Sequence, residues 1–163
     1  MNTNRKLIST DNHFLSLCID LAEEALQAGD KPFGSILVDK EGNILAQARN
    51  RIYEVNALAH PEYELAEWAL NNLSTEQRRE STMYTSGEHC PMCAGAHGMA
   101  GIGTEVYAGS GRLLNEWLEE FGVPLSPINL IPIEEVVKDI IVRGPAEGEL
   151  LERIKELHRW ANA

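Results

Sequence analysis

Two short stretches of the chain hold side chains that can bind a metal ion and move a proton. The first is Ala59-His60-Pro61-Glu62, and the second is Glu88-His89-Cys90-Pro91-Met92-Cys93. One imidazole and two thiolates form a donor set that suits zinc, and three protein ligands leave the fourth tetrahedral position open, as in catalytic zinc sites. We therefore predict that His60, Cys90 and Cys93 bind Zn²⁺.

Glu62 is the type of residue that such a site needs beside the metal. Zinc with two thiolates carries no net charge, so a water molecule at the open position needs a base to lose its proton at neutral pH. Glu62 stands two residues after His60 and is not required as a ligand. We predict that Glu62 is catalytic, taking a proton from water and passing it to the substrate.

The Cys90 and Cys93 pair allows other interpretations when it is taken alone. A Cys-x-x-Cys pair also occurs in structural zinc sites and in redox dithiols. A structural site would need a second ligand pair, and His89 would strain a tetrahedron shared with its neighbour Cys90. A redox dithiol stays open, because a cysteine at a helix N-terminus has a lowered pKa.

The elements around both stretches explain how the three ligands can meet. Pro61 and Pro91 each favour the first turn of a helix, so His60 and Cys90 are expected at the two cap positions. Cys93 follows one turn later. If both helices lie on one face of a sheet, their positive N-terminal ends point at the same place, which favours thiolates and a bound anion.

Hydrophobic periodicity predicts alternating helices and strands along the rest of the chain. A first helix is capped by Asp11 or Asn12 and ends at Gly29. The strands are predicted at 33–38, 44–52, 81–86 and 104–108 and within 133–142, and further helices at 61–71, 91–100 and 113–121 and from about 146. The stretch 123–132 is expected to be a loop. This order predicts one α/β domain spanning residues 1–163, with helices on both faces of the sheet. The helix before the last strand suggests that the last two strands are parallel.

Composition narrows the class of partner. The net charge of −11 argues against polynucleotides, whose binding depends on neutralising phosphates. No apolar run approaches the roughly 20 residues that span a bilayer, and Met1 to Thr10 has no export-signal pattern. The odd number of cysteines, 3, does not suit a disulfide framework, and Cys18 is expected to be a buried thiol. We expect a cytoplasmic protein.

The two stretches together resemble the cytidine and nucleobase deaminase superfamily, whose signature is His-x-Glu followed by Pro-Cys-x-x-Cys. Pro32-Phe33-Gly34 and Asn50 add to this resemblance. The family usually has alanine where this chain has Pro61, and proline where it has His89. We expect His89 to support the ligands from outside or to lie on the surface, rather than to act in catalysis.

The resemblance implies a three-layer α/β/α fold with a five-stranded mixed sheet, and a zinc-dependent hydrolytic deamination that releases ammonia. It implies that the Cys90 N–H stabilises charge on the incoming oxygen, that Phe33 packs near the base and Asn50 hydrogen-bonds the ring, and that the Glu88 carbonyl accepts from the leaving amine. A turn-forming role for Asn50 stays open. A homodimer is also implied.

The C-terminal third of the chain bears on the choice of substrate. The parallel strands resemble the branch of guanine, cytosine and tRNA-adenosine deaminases. The ending Leu157-His158-Arg159-Trp160-Ala161-Asn162 resembles guanine deaminases, in which a C-terminal segment covers the pocket. We expect a small nucleobase or nucleoside of guanine or cytosine type. The alternatives are a tRNA adenosine deaminase and a non-catalytic binding module stabilised by zinc. Trp68, Trp117 and Trp160 are expected to pack in the core or at an interface.

Overall fold

The computed structural model describes residues 5–163, so residues 1–4 of the N-terminal stretch lie outside the described part. The strands are β1 (Gly34–Val38), β2 (Ile44–Arg49), β3 (Thr82–Gly87), β4 (Thr104–Gly109) and β5 (Ile141–Arg143). The helices are α1 (Asp11–Gln27), α2 (Pro61–Asn72), α3 (Thr75–Glu80), α4 (Pro91–Ala100), α5 (Gly111–Glu120) and α6 (Glu149–Ala161), with a 3₁₀ turn at Ile133–Glu135. This confirms the predicted α/β class.

One mixed sheet organises the fold, with strand order β2-β1-β3-β4-β5. β1 is antiparallel to β2 and to β3, whereas β3, β4 and β5 are parallel. Ser35 lies opposite Thr85, so the start of β1 and the end of β3 meet at one edge of the sheet. The predicted parallel pairing of the last two strands is confirmed. We call the edge where β3 and β4 end the carboxyl edge.

Helices cover both faces of the sheet and bury apolar clusters against each face. On one face α1 and α6 pack with residues such as Leu15, Ile36 and Ile154. On the other face α2 packs on the sheet through residues such as Leu65 and Met83, and α4 lies against α2. Each face therefore excludes water independently, and the carboxyl edge between them is where both layers can supply side chains.

Gly34 explains how closely α1 approaches the sheet. A Cβ atom at this position would lie 2.5 Å from the Cys18 carbonyl oxygen and 2.5 Å from Leu21 Cβ. Because these are α1 atoms, any side chain at residue 34 would push the helix off β1. Cys18 itself is fully buried, as expected.

Several element boundaries differ from the sequence prediction, each for a local reason. Asp11 does not cap α1, because its buried carboxylate binds Arg143 instead. β2 ends at Arg49 rather than at residue 52, because the Asn50 side chain accepts from the Ile52 N–H and begins a turn. β5 begins only at Ile141, near the end of the window predicted for it, and continues past it to Arg143.

The three tryptophans have different surroundings. Trp117 is buried in the α1 and α6 cluster and Trp68 packs against the α2 cluster, which confirms core packing for both. Trp160 is 57% exposed. Within residues 5–163, no helix is both long and apolar enough to cross a membrane.

Candidate active site

His60, Cys90 and Cys93 lie together at the carboxyl edge of the sheet. His60 is the N-cap of α2 and Cys90 is the N-cap of α4, with Pro61 and Pro91 in the first helical turns. His60 Nδ1 lies 3.7 Å from Cys90 Sγ and 3.5 Å from Cys93 Sγ. The three donor atoms lie within 4.8 Å of one another. The two helices thus bring together the residues that the sequence predicted as ligands.

This donor set fits a zinc ion. Two sulfurs and one imidazole nitrogen lie at separations that one ion with bonds of about 2.0–2.3 Å can bridge. Cys90 is half-buried and Cys93 is fully buried, so the group is shielded on one side and reachable on the other. The proximity of His60 to both thiols distinguishes this arrangement from a simple dithiol.

The surroundings favour a thiolate at Cys90. Its pKa is lowered to about 4 by a hydrogen bond from the Cys93 thiol and by the nearby His60. The same hydrogen bond raises the pKa of Cys93, because that thiol keeps its proton while Cys90 carries the charge. The contact with Cys90 also raises the pKa of His60. The pair therefore favours a thiolate at Cys90, and binding a cation there would require the second proton to leave.

Glu62 lies in the first turn of α2 and is 4% exposed. Its Oε1 lies 3.1 Å from the Thr85 hydroxyl and 3.3 Å from the Ser35 hydroxyl, both of which can donate to it. Those two hydroxyls also lie 2.9 Å apart. Side chains of β1 and β3 therefore contact the Glu62 carboxylate, which limits the orientations that this side chain can adopt. The sequence did not reveal this support, because it depends on the pairing of β1 with β3.

Phe33 and Asn50 lie at the same edge of the sheet. The Asn50 N–H donates to the Phe33 carbonyl at 3.0 Å, and the Asn50 side chain is 2% exposed. Its Oδ1 accepts from the Ile52 N–H at 3.1 Å, which leaves the side-chain amide N–H groups to donate elsewhere. Both interpretations of Asn50 are therefore compatible: it forms a turn, and it keeps a donor.

Glu88 connects the site to the loops that follow β4. Its N–H donates to the Gly109 carbonyl at 2.8 Å, which continues the β3–β4 pairing. Its carboxylate accepts from Gly111 N at 2.9 Å and from Ile133 N at 3.1 Å. Burial raises the pKa of this carboxyl group, an effect that the two backbone N–H donors oppose. The side chain is thus an anchor, while the role predicted for Glu88 concerns its backbone carbonyl.

Two histidines near the site make contacts that the sequence did not indicate. His89 is 2% exposed and lies between Glu105 and His97, so it is not on the surface. His158, on α6, is 4% exposed and its ring packs edge-on against Phe33 at 5.1 Å. No local pattern marks the contacts with Glu105 and Phe33, because these partners are 16 or more residues away along the chain.

Arginines around the carboxyl edge are paired with carboxylates. Arg49 contacts Asp30 at 3.1 Å and Glu54 at 2.7 Å. Arg112, at the start of α5, lies 3.7 Å from Glu116. Arg49 is therefore held by two carboxylates, whereas Arg112 is a surface side chain in a weak, solvent-exposed pair.

Comparison with known proteins agrees with this geometry. Residues 8–109 match the family model of the cytidine and deoxycytidylate deaminase zinc-binding region. A probable cytosine deaminase of Schizosaccharomyces pombe is 31% identical over 123 residues, covering 74% of this chain and 73% of that protein. A tRNA-specific adenosine deaminase of Bacillus subtilis is 32% identical, covering 69% and 74%. The guanine deaminase of Bacillus subtilis is 39% identical over 89 residues, covering 52% and 56%.

Solved structures share the fold over nearly the whole chain. The X-ray structure of guanine deaminase from Bacillus subtilis is 26% identical, with a TM-score of 0.57 over 93% of this chain and 94% of that one. A structure of a variant protein in complex with 8-azaguanine has a TM-score of 0.72 and 21% identity, covering 99% and 88%. The three-layer fold predicted from the resemblance is confirmed.

The fold and the His/Cys/Cys group define a zinc-dependent hydrolytic enzyme that removes amino groups. The chain belongs to the cytidine and deoxycytidylate deaminase family, within the wider superfamily of nucleobase deaminases. The relatives are named for different substrates, so family membership alone does not identify the substrate of this enzyme.

Proposed function

We propose that this enzyme deaminates a small nucleobase or its nucleoside, of guanine or cytosine type, with zinc held by His60, Cys90 and Cys93. The observation that carries the proposal is the meeting of these three side chains beside buried Glu62. When bound there, zinc supplies Lewis-acid activation of a water molecule.

Glu62 then performs the proton transfers of the reaction. Its carboxylate takes a proton from the attacking water and delivers it to a ring nitrogen next to the amino-bearing carbon. Glu62 then takes the proton of the hydroxyl now bonded to that carbon and delivers it to the amino group. The C–N bond breaks as the carbonyl forms, and ammonia leaves without a redox change. The hydroxyls of Ser35 and Thr85 keep the carboxylate aimed during both transfers.

The remaining predicted contacts concern how the ring is held. Phe33 packs against one side of the base, and the Asn50 amide donates to a ring acceptor. The Glu88 carbonyl accepts from the leaving amine. The Cys90 N–H, at the N-terminus of α4, favours developing negative charge on the incoming oxygen. All four residues lie at or just beyond the carboxyl edge of the sheet.

The negative charge of the protein favours a small substrate over a polynucleotide. The protein carries a net charge of −11, and Arg49 at this edge is held by Asp30 and Glu54. A tRNA adenosine deaminase is the second candidate, because the Bacillus subtilis relative with that name aligns with 69% of this chain. Binding an anticodon arm would require several phosphate contacts from Lys or Arg, and the net charge of −11 opposes this.

The decisive experiment combines metal analysis with an ammonia-release assay on guanine, cytosine, their nucleosides and a tRNA. We expect one zinc per chain and activity on a base or nucleoside. Glu62→Gln should keep the zinc and lose activity by about 100-fold or more, the scale of general acid–base catalysis. Glu64→Gln, an exposed carboxylate on the same helical turn, is the matched control. Full activity of Glu62→Gln would refute its role, and activity on tRNA alone would refute the substrate class.

We also propose that the enzyme is a homodimer, formed through the exposed apolar face of α2 and α4. Met99 is 89% exposed, Leu70 is 51% exposed and Tyr63 is 44% exposed. These side chains line one groove together with Ala66 and Met92. Exposed apolar surface of this kind in a soluble protein favours a protein–protein contact.

A further inference from the structure

A chain of buried polar side chains lies directly behind the thiol ligands. Glu105 on β4 and His97 on α4 are fully buried, and His89 between them is 2% exposed. His89 Nδ1 lies 2.6 Å from Glu105 Oε1, and His89 Nε2 lies 3.0 Å from His97 Nδ1. His97 Nε2 lies 3.0 Å from the Ile102 carbonyl oxygen. None of these groups takes part in the reaction described above.

The partners determine the direction of the hydrogen bonds. A carbonyl oxygen can only accept, so His97 Nε2 carries a proton and donates it to Ile102. Burial lowers the pKa of His97, so the ring is neutral and its Nδ1 accepts. His89 Nε2 must therefore donate to His97, which turns its Nδ1 towards the Glu105 carboxyl group. The two histidines thus share one hydrogen-bonding direction, from His89 through His97 to Ile102, whereas the His89 ring meets Glu105 in a close polar contact that is not an aligned hydrogen bond.

Glu105 holds His89 at two points. Its Oε1 accepts from the backbone N–H of His89 at 2.9 Å and faces the ring of the same residue. Its Oε2 has no hydrogen-bond partner within the described residues, so the compensation of this buried carboxyl group depends on His89. A proline, which the family carries at this position, has no N–H and could not make the backbone contact.

The positions of the two histidines bracket the two thiols. His89 immediately precedes Cys90, and His97 follows Cys93 by one helical turn on α4. The hydrogen bond between the two histidine rings therefore spans the first turns of α4, and Glu105 connects this segment to β4. Such a connection restrains the direction in which the backbone enters Cys90.

We propose that His89, held between Glu105 and His97, is a positioning residue that fixes the backbone at Cys90 and so sets the geometry and retention of the metal. It replaces by hydrogen bonding the restraint that a proline ring provides covalently. The inference rests on the proposed ligand role of Cys90 and Cys93, and it concerns the residues that aim those ligands.

Zinc release from the folded enzyme tests the proposal. Zinc loss to a chromophoric chelator is followed after adding the chelator to zinc-loaded wild type, Glu105→Gln and Asp11→Asn. Glu105→Gln should release zinc about 10-fold to 100-fold faster, the usual effect of losing a group that orients metal ligands. It should also change the visible spectrum of the cobalt-substituted enzyme and lower kcat more than it changes KM.

Asp11→Asn is the matched control, since Asp11 is another fully buried carboxylate that is paired on the opposite face of the sheet. We expect it to lower stability while leaving the rate of zinc release and the cobalt spectrum unchanged. Equal acceleration in both variants would show that zinc release reports only general loosening and would overturn the proposal. A release rate for Glu105→Gln within twofold of wild type would overturn it as well.

Two double variants keep the test decisive if Glu105→Gln does not fold. Both carry Glu105→Leu, which removes the buried charge, and one adds His89→Pro whereas the other adds His89→Ala. The proline variant should retain zinc as wild type does, and the alanine variant should release it about 10-fold faster. Equal rates in the two would overturn the proposal. A wild-type protein that binds no zinc would instead refute the proposed function.

Discussion

His158 links the stability of the fold to pH in a way that can be worked out from its surroundings. The imidazole lies at the carboxyl edge, packed edge-on against Phe33 and 5.9 Å from the ring of Trp117. Burial, and to a lesser extent the charge of Lys31, lowers the pKa of His158 from 6.5 to about 4. The folded protein therefore keeps this ring neutral at pH values where the unfolded chain protonates it.

Proton uptake by the unfolded state makes the folded protein less stable at acidic pH. Between pH 6.5 and about 4 the unfolded state binds more protons at this residue than the folded state, so the free energy of unfolding falls as the pH falls. The two pKa values predict a loss of about 2 kcal/mol from this residue between pH 8 and pH 5. At pH 8 both states are neutral at His158 and the term vanishes.

Urea unfolding of wild type and His158→Gln at several pH values between 8 and 5 measures this term. Protonation of the carboxylates affects both proteins alike, so the difference between their free energies of unfolding isolates His158. That difference should move by about 2 kcal/mol in favour of the variant as the pH falls. His13→Gln, which removes an exposed histidine from α1, is the matched control. A difference that stays constant within about 0.5 kcal/mol would refute the reasoning, because it would mean that the folded protein accommodates a charged His158.

Three further predictions follow from single contacts. Thr85→Val removes a hydroxyl that supports Glu62. We expect kcat to fall about 10-fold, equivalent to about 1.4 kcal/mol, while KM and zinc content stay unchanged. An unchanged kcat would contradict the proposal that Thr85 orients the Glu62 carboxylate. Met99→Glu places a charge in the proposed dimer face and should give a monomer by analytical ultracentrifugation, whereas Ile128→Glu, at an apolar loop residue that is 46% exposed, should not alter the mass. Gly34→Ala forces a Cβ atom to within 2.5 Å of α1 and should lower the free energy of unfolding by about 2 kcal/mol or more, measured in urea; a smaller loss would mean that α1 shifts easily.

The sequence predicts the parts of the site that are local in the chain. The helix at Pro91–Ala100 is confirmed with both ends as predicted, because Pro91 marks its first turn and Gly101, in the left-handed conformation, ends it. The helix that begins at Pro61 is confirmed in the same way and ends one residue later than predicted. Because proline marks both helix starts, the residue types alone are enough to assign His60 and Cys90 to the cap positions.

The start of α3 carries a local signal that the sequence prediction missed. Ser74 and Gln77 form a capping box there, with the serine side chain accepting from Gln77 N and the glutamine side chain accepting from Ser74 N. The spacing Ser-x-x-Gln is a known helix-start pattern. The helix is short and has no buried residue, so it left no apolar periodicity to reveal it.

The support behind the site could not be predicted, because it depends on strand pairing and on distant residues. Ser35 reaches Glu62 only because β1 pairs with β3 in the observed register. Asp11 looked like a helix cap from its neighbours, yet its carboxylate is bound by Arg143 from the far end of the chain. In both cases a short polar side chain has several local uses, and the partner that decides between them is brought there by the fold.

Glu62 and Glu105, two buried residues near the proposed metal site, differ in what holds them, and this difference supports the separate roles proposed for them. Glu62 is supported by hydroxyls, which donate or accept as required and so allow its charge to change during a reaction. Glu105 instead accepts a hydrogen bond from the His89 backbone N–H and lies in close polar contact with the ring of the same residue. A group that must gain and lose a proton in each turnover needs the first environment, whereas a group that must hold a ligand loop still needs the second. The neighbours of Glu62 and Glu105 therefore support the proposals that Glu62 transfers protons and that Glu105 positions His89.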